Sequence, residues 1–94
     1  MGTVLKNEEV DQALSSLKDW RREDKELVRS FEFDGFPSAI KFVNRIAQLA
    51  EEANHHPDIL INYNKVKLTL SSHDSGGITQ RDLRLATAIS GING

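Results

Sequence analysis

The chain contains no cysteine. Neither a disulfide framework nor a thiol nucleophile is therefore available. A basic excess is also missing: 12 Lys and Arg stand against 14 Asp and Glu, for a net charge of −2. Nothing neutralises a row of phosphates, which excludes nucleic-acid binding by charge. No apolar run approaches the roughly 18 residues that a bilayer span needs. The opening stretch MGTVLKNEEV lacks the apolar centre of a secretory signal, so the cytoplasm is the expected location. Internal repeats, linkers and low-complexity tracts are missing as well. Aromatic residues make up only 6%, and the core they help to fill is small.

What is present is ordinary for a soluble globular protein: 38% hydrophobic and 28% charged residues. A length of 94 residues predicts one domain spanning residues 1–94. Surface-to-volume scaling leaves such a domain marginal, and self-association is expected.

Hydrophobic spacing divides the chain into seven elements. Residues 7–18 predict a helix, with Asn7 as its cap and Val10, Ala13, Leu14 and Leu17 on one face. Residues 19–23 predict a short strand, Asp24 and Lys25 a turn, and residues 26–33 a strand with Leu27, Phe31 and Phe33 on one face. Pro37 suits the first turn of a long amphipathic helix reaching about Asn54, which Pro57 stops. Residues 59–63 predict a third strand and YNKV a turn. VKLTLS then alternates, with Val66, Leu68 and Leu70 inward. SGG is a loop. Thr79 with Asp82 resembles a capping box opening a last helix that Gly91 can end. The order α-β-β-α-β-β-α predicts an α+β fold: a four-stranded antiparallel sheet with three helices packed on one face.

All three histidines, His55, His56 and His73, fall within residues 51–74. The first two stand at the end of the long helix and the third at the end of the fourth strand. Helix ends and strand ends can meet at one rim of a sheet, so three imidazoles facing one pocket is one reading. A metal site with Glu51 and Asp74 as oxygen ligands is a second, weakened because adjacent histidines rarely coordinate one ion and no cysteine helps. A third gives His56 the bland task of complementing the helix dipole.

The spacing E-x3-HHP-x5-YNKV-x6-H from Glu51 to His73, followed by Arg81–Asp82, resembles the pterin-4a-carbinolamine dehydratase family. That family is also known as a dimerization cofactor of a hepatocyte homeodomain factor. The resemblance covers nearly the whole chain, including Trp20 ahead of the first hairpin turn. It implies a dehydratase without metal or organic cofactor, forming dimers or tetramers. Its substrate would be the 4a-hydroxy-tetrahydropterin left when an aromatic amino-acid hydroxylase turns over, and its product quinonoid dihydropterin. Expelling the hydroxyl from C4a calls for one group to protonate the departing oxygen and another to take the proton from N5. Imidazole, with an unperturbed pKa near 6.5, offers both forms near neutral pH. By resemblance His55 and His73 are the main proton-transfer pair, while His56 orients the ring and shares acid duty; which is acid and which base stays open.

The resemblance also implies a substrate-binding set of Glu51, Pro57, Ser72, Asp74 and Ser75, supported by Trp20, Arg81 and Asp82. Each has a plainer reading. Glu51 can be a solvated helix carboxylate, Trp20 core, and Asp82 the carboxylate of the capping box, a role compatible with support of the site. Pro57 shapes the loop. Asn54 stands where many relatives carry an acidic residue, and Ile59 where an aromatic is common; both bear on substrate orientation. Two further functions are open. One is a binding module that stabilises a transcription factor's dimer through an apolar helical surface. The other is dehydration of another pterin, such as one in molybdenum-cofactor metabolism.

Overall fold

A computed structural model describes residues 3–93. The elements are α1 (Asn7–Leu14), β1 (Arg21–Glu23), β2 (Glu26–Glu32), α2 (Phe36–Ala53), β3 (Asp58–Asn62), β4 (Lys65–Leu70) and α3 (Gln80–Asn93). The strands form one antiparallel sheet in the order β1-β2-β4-β3. The predicted α+β architecture is the one observed.

Strand alternation places the core. Leu27, Arg29 and Phe31 of β2 stand opposite Leu70, Leu68 and Val66 of β4, and all six are buried. Above them lie Val10 of α1, Ala39, Phe42, Ile46 and Ala50 of α2, and Leu85, Ala86 and Ile89 of α3. Phe42 packs its ring 4.5 Å from that of Phe31 and 5.1 Å from that of Phe33. These tilted arrangements suit the ring quadrupoles. Arg29 is the exception on this face. Its guanidinium lies 4.4 Å from the centre of the Phe31 ring, donates to Ser90 Oγ at 3.3 Å and pairs with Asp19 at 3.3 Å.

Several boundaries differ from the sequence reading. α1 stops at Leu14, four residues early, because Ser15 Oγ donates back to the Gln12 carbonyl at 2.7 Å and the backbone tightens into successive three-residue turns. Leu17 is buried all the same. Asn7 is not the cap. Extended Lys6 is, and its N–H donates to the Glu9 carboxylate at 2.8 Å. β1 loses its first two predicted residues because the Trp20 N–H turns back to the Leu17 carbonyl. α3 runs through Gly91 to Asn93. A glycine ends a helix only when the chain there turns left-handed, and here it stays helical.

Candidate active site

The end of α2 aims the first histidine inward. Asn54 closes the helix in the left-handed conformation (φ 51°, ψ 42°), which Asn tolerates better than most residues. The reversal lets the His55 N–H donate to the Ala50 carbonyl at 3.1 Å and carries the imidazole under the sheet's rim. His55 is 8% exposed.

Its ring meets α3. His55 Nε2–H donates to Oδ1 of Asp82, which is fully buried. The other oxygen, Oδ2, accepts the Ser72 hydroxyl and the Thr79 N–H, each at 2.9 Å. The Thr79 N–H bond is half of the predicted capping box; the Thr79 hydroxyl oxygen accepts the Arg81 N–H at 3.2 Å. Ser72 Oγ and Thr79 Oγ1 are also 2.9 Å apart. A hydroxyl has one proton to give. Ser72 spends its proton on Asp82, so Thr79 must donate to Ser72. Every bond then runs toward the Asp82 carboxylate, and the imidazole is held with its proton on Nε2, so that Nδ1 of the neutral ring is unprotonated. Asp82 caps α3, as the capping-box reading expects, and also hydrogen-bonds His55, a contact that the sequence does not announce.

His56, the next residue, is exposed and hydrogen-bonds through Nε2 to Glu51 Oε2. Glu51 stands one helical turn before His55, a spacing that favours a shared face, yet its carboxylate pairs with His56. His73 follows Ser72, so its backbone is one residue from the buried network. Its ring is exposed and lines a cavity of about 420 Å³ with Asp24, Lys25, Glu26, Ser71, Gly76 and Gly77. Neither His55 nor His56 lines that cavity. The arrangement is three imidazoles with three supports: a buried carboxylate, an exposed carboxylate and a loop. Among the described residues no three His, Asp or Glu side chains gather as a metal-ligand set.

The loop carrying His73 is clamped from α3. Arg81 Nη2 donates to Asp74 Oδ1 at 2.7 Å and to Ser75 Oγ at 3.3 Å. Both residues sit in the expected substrate-binding set, and both have side chains engaged by Arg81. Gly76, at φ 86°, makes the turn after them. The Arg81 guanidinium hydrogen-bonded to Asp74 holds that carboxyl below its ordinary range. A depressed folded value means the pair is fully formed above the unfolded value of about 3.9 and is lost as pH falls through the folded one. Changes in activity between pH 5 and 7 therefore arise elsewhere than in this clamp. Arg81→Met should speed hydrogen exchange at the Ser75 and Gly76 amides by about tenfold while α2 amides stay protected; unchanged exchange would show that the loop holds itself.

Of the remaining expected residues, Trp20 is 4% exposed and part of the core, its Nε1–H donating to Ser90 Oγ at 3.2 Å. Pro57 is half-buried between His56 and the start of β3. Ile59 stands opposite Leu68, exposed on the edge strand. Two features had escaped the sequence reading. The sequence marks Thr79 as a cap, and nothing in it marks the link to Ser72. The β1–β2 turn was seen as a turn but not as a wall beside His73, and nothing local in Asp24–Lys25 signals that.

Residues 3–92 match the family model described as pterin 4 alpha carbinolamine dehydratase. A protein of Chloroflexus aurantiacus, provisionally named a pterin-4-alpha-carbinolamine dehydratase, is 49% identical over 90 residues, covering 96% of this chain and 97% of its own. A crystal structure titled as a transcriptional coactivator/pterin dehydratase from Brucella melitensis superposes with a TM-score of 0.92 at 34% identity, covering 98% of this chain and all of the other. A pterin dehydratase-like protein described as a RuBisCO assembly factor in the alpha-carboxysome is more distant, at a TM-score of 0.68 and 25% identity over 81% of this chain and 90% of its own. With a family model matched almost end to end and relatives near half-identical over the same span, the chain belongs to the pterin-4a-carbinolamine dehydratase family.

Proposed function

We propose that residues 1–94 act as one catalytic domain that dehydrates a 4a-hydroxy-tetrahydropterin to quinonoid dihydropterin and water, in the recycling of tetrahydrobiopterin. The observation that carries this reading is the buried Asp82 carboxylate bonded to His55 Nε2. A carboxylate behind an imidazole fixes the tautomer and leaves the far nitrogen free to exchange a proton. The substrate's N5 lone pair expels the C4a hydroxyl. One imidazolium gives its proton to the departing oxygen, and one neutral imidazole takes the N5 proton. His55 and His73 share these transfers, and His56, steadied by Glu51, orients the ring. The test is turnover of enzymatically generated 4a-hydroxy-tetrahydropterin. Wild-type protein that leaves the spontaneous rate unchanged ends this reading.

Self-association belongs to the same proposal. Among the described residues β3 pairs with β4 alone, which leaves its other edge open, and Ile59, Leu60 and Ile61 are all exposed there. An apolar open edge is a ready pairing surface. Light scattering at micromolar concentration should give a dimer or larger, and Leu60→Lys with Ile61→Lys should shift it toward monomer; a wild-type monomer would refute the pairing. The binding-module alternative called for an exposed apolar patch on a helix. Of the large apolar side chains exposed among the described residues, only Phe36 lies on one, at its first position.

A further inference from the structure

The cavity beside His73 has a second wall that the proton-transfer chemistry does not use. It is the β1–β2 turn, contributing Asp24, Lys25 and Glu26. Asp24 sits in the left-handed conformation at φ 56°, which turns the chain sharply over the end of β4. Ser71, itself a lining residue, donates its hydroxyl to the Lys25 carbonyl at 2.9 Å. This bond ties the turn to the strand that leads into His73, so turn and histidine hold a fixed distance. Across the cavity, Arg81 braces the loop through Asp74 and Ser75. Both walls of the cleft are therefore anchored.

We propose that this turn reads the substituent carried by the pterin ring, accepting a neutral hydroxylated tail and disfavouring an anionic one. The inference rests on His73 acting on the pterin, as in the proposed function. A cavity of about 420 Å³ falls within the range of small-molecule pockets and exceeds what a flat bicyclic ring fills. With the ring held at His73, the turn supplies three of the cavity's other lining residues. There two carboxylates, Asp24 and Glu26, outnumber one ammonium, Lys25. A hydroxyl on the tail can donate to a carboxylate, whereas a phosphate or carboxylate cannot and is repelled. A unit charge about 7 Å away in a watery rim is worth roughly three- to fourfold in an equilibrium constant, and salt screens it.

The experiment measures binding of two stable 7,8-dihydropterins by quenching of pterin fluorescence. One bears a hydroxyalkyl tail and the other the same tail phosphorylated. Wild-type protein should bind the neutral compound more tightly. Asp24→Asn with Glu26→Gln should narrow the ratio of dissociation constants by about tenfold, and Lys25→Gln should widen it by about threefold. Raising salt should shrink both changes. The ratio should persist in His73→Ala, because that variant removes the reacting group and not the turn. Equal binding of the two compounds, or a ratio indifferent to all the turn charges, overturns the proposal. Because the readout is binding, a protein that sorts the two tails yet turns over neither carbinolamine would fail the dehydratase reading and keep this one.

Discussion

A His55→Ala/His73→Ala double variant should turn over 4a-hydroxy-tetrahydropterin at less than about 1% of the parental kcat. Each single variant should lose about 10²-fold or more, equal to about 2.7 kcal/mol of transition-state stabilisation per residue. The double loss should fall short of the product of the singles, because groups acting on one carbinolamine fail together. His56→Ala should mainly raise KM, since an exposed imidazole paired with an exposed carboxylate holds the substrate in ground state and transition state alike. Folding has to be controlled differently for each. His73 is exposed and its removal should leave the melt unchanged. His55 is buried, and its truncation costs a hydrogen bond and some packing, about 1–2 kcal/mol. Asp82 keeps two donors in that variant, so the chain should still fold at 25 °C. Folded double variant with near-parental turnover would mean that the histidines bind or merely pack.

The legible parts of this molecule are those where one periodicity dominates. β4 alternates without interruption, and Val66, Leu68 and Leu70 are buried as its pattern requires. The apolar stripe of α2 is equally plain, and Pro37 and Asn54 mark its two ends. Arg29 shows where pattern and composition part. Its place between Leu27 and Phe31 puts it on the buried face, which a reading by residue type passes over. Serine is ambiguous for another reason. Ser15 and Ser16 follow a good helical stripe, and only the back-bond to Gln12 reveals that the helix has ended. Among the site residues, the spacing of the histidines was visible but their partners were not. Glu51 is four residues from His55 and five from His56, and helical geometry favours the first. The left-handed turn at Asn54 takes His55 inward and leaves Glu51 to His56. Ser72, Thr79 and Asp82 come from a strand end and a helix start, and no local pattern announces that their polar atoms converge. Thr79 and Asp82 were found as a capping box because a cap is local; the bond from Asp82 to His55 spans 27 residues.

Asp82 offers the sharper test, because two substitutions separate its structural role from its chemical one. Asp82→Ala removes the acceptor of three bonds and leaves the Thr79 N–H, the Ser72 hydroxyl and the His55 ring without it. Stranding buried donors should destabilise the fold by about 3 kcal/mol or more, a large share of the 5–15 kcal/mol available to a typical domain. Asp82→Asn is different. The amide oxygen can still accept from Thr79 and Ser72, so the cap survives and the stability loss should be near 1 kcal/mol. The amide NH₂ must then face His55 Nε2, and a donor there can be met only by an unprotonated nitrogen. The ring proton moves to Nδ1, the atom argued to exchange protons with substrate. The neutral ring then cannot accept a proton at Nδ1, and the amide donor at Nε2 disfavours the imidazolium, so the ring is impaired as base and as acid alike. Asp82→Asn should therefore fold and melt almost as the parent does while kcat falls about 10²-fold or more, a loss of the kind seen when a triad aspartate is made an amide. Nitrogen-15 shifts of the His55 imidazole should report the tautomer directly, with the protonated signal at Nε2 in the parent and at Nδ1 in the variant. Unchanged turnover in a variant whose tautomer has switched would show that His55 Nδ1 takes no part in proton transfer. Unchanged turnover with the proton still on Nε2 would show instead that Asp82 does not set the tautomer, and the carboxylate would be a helix cap and nothing more.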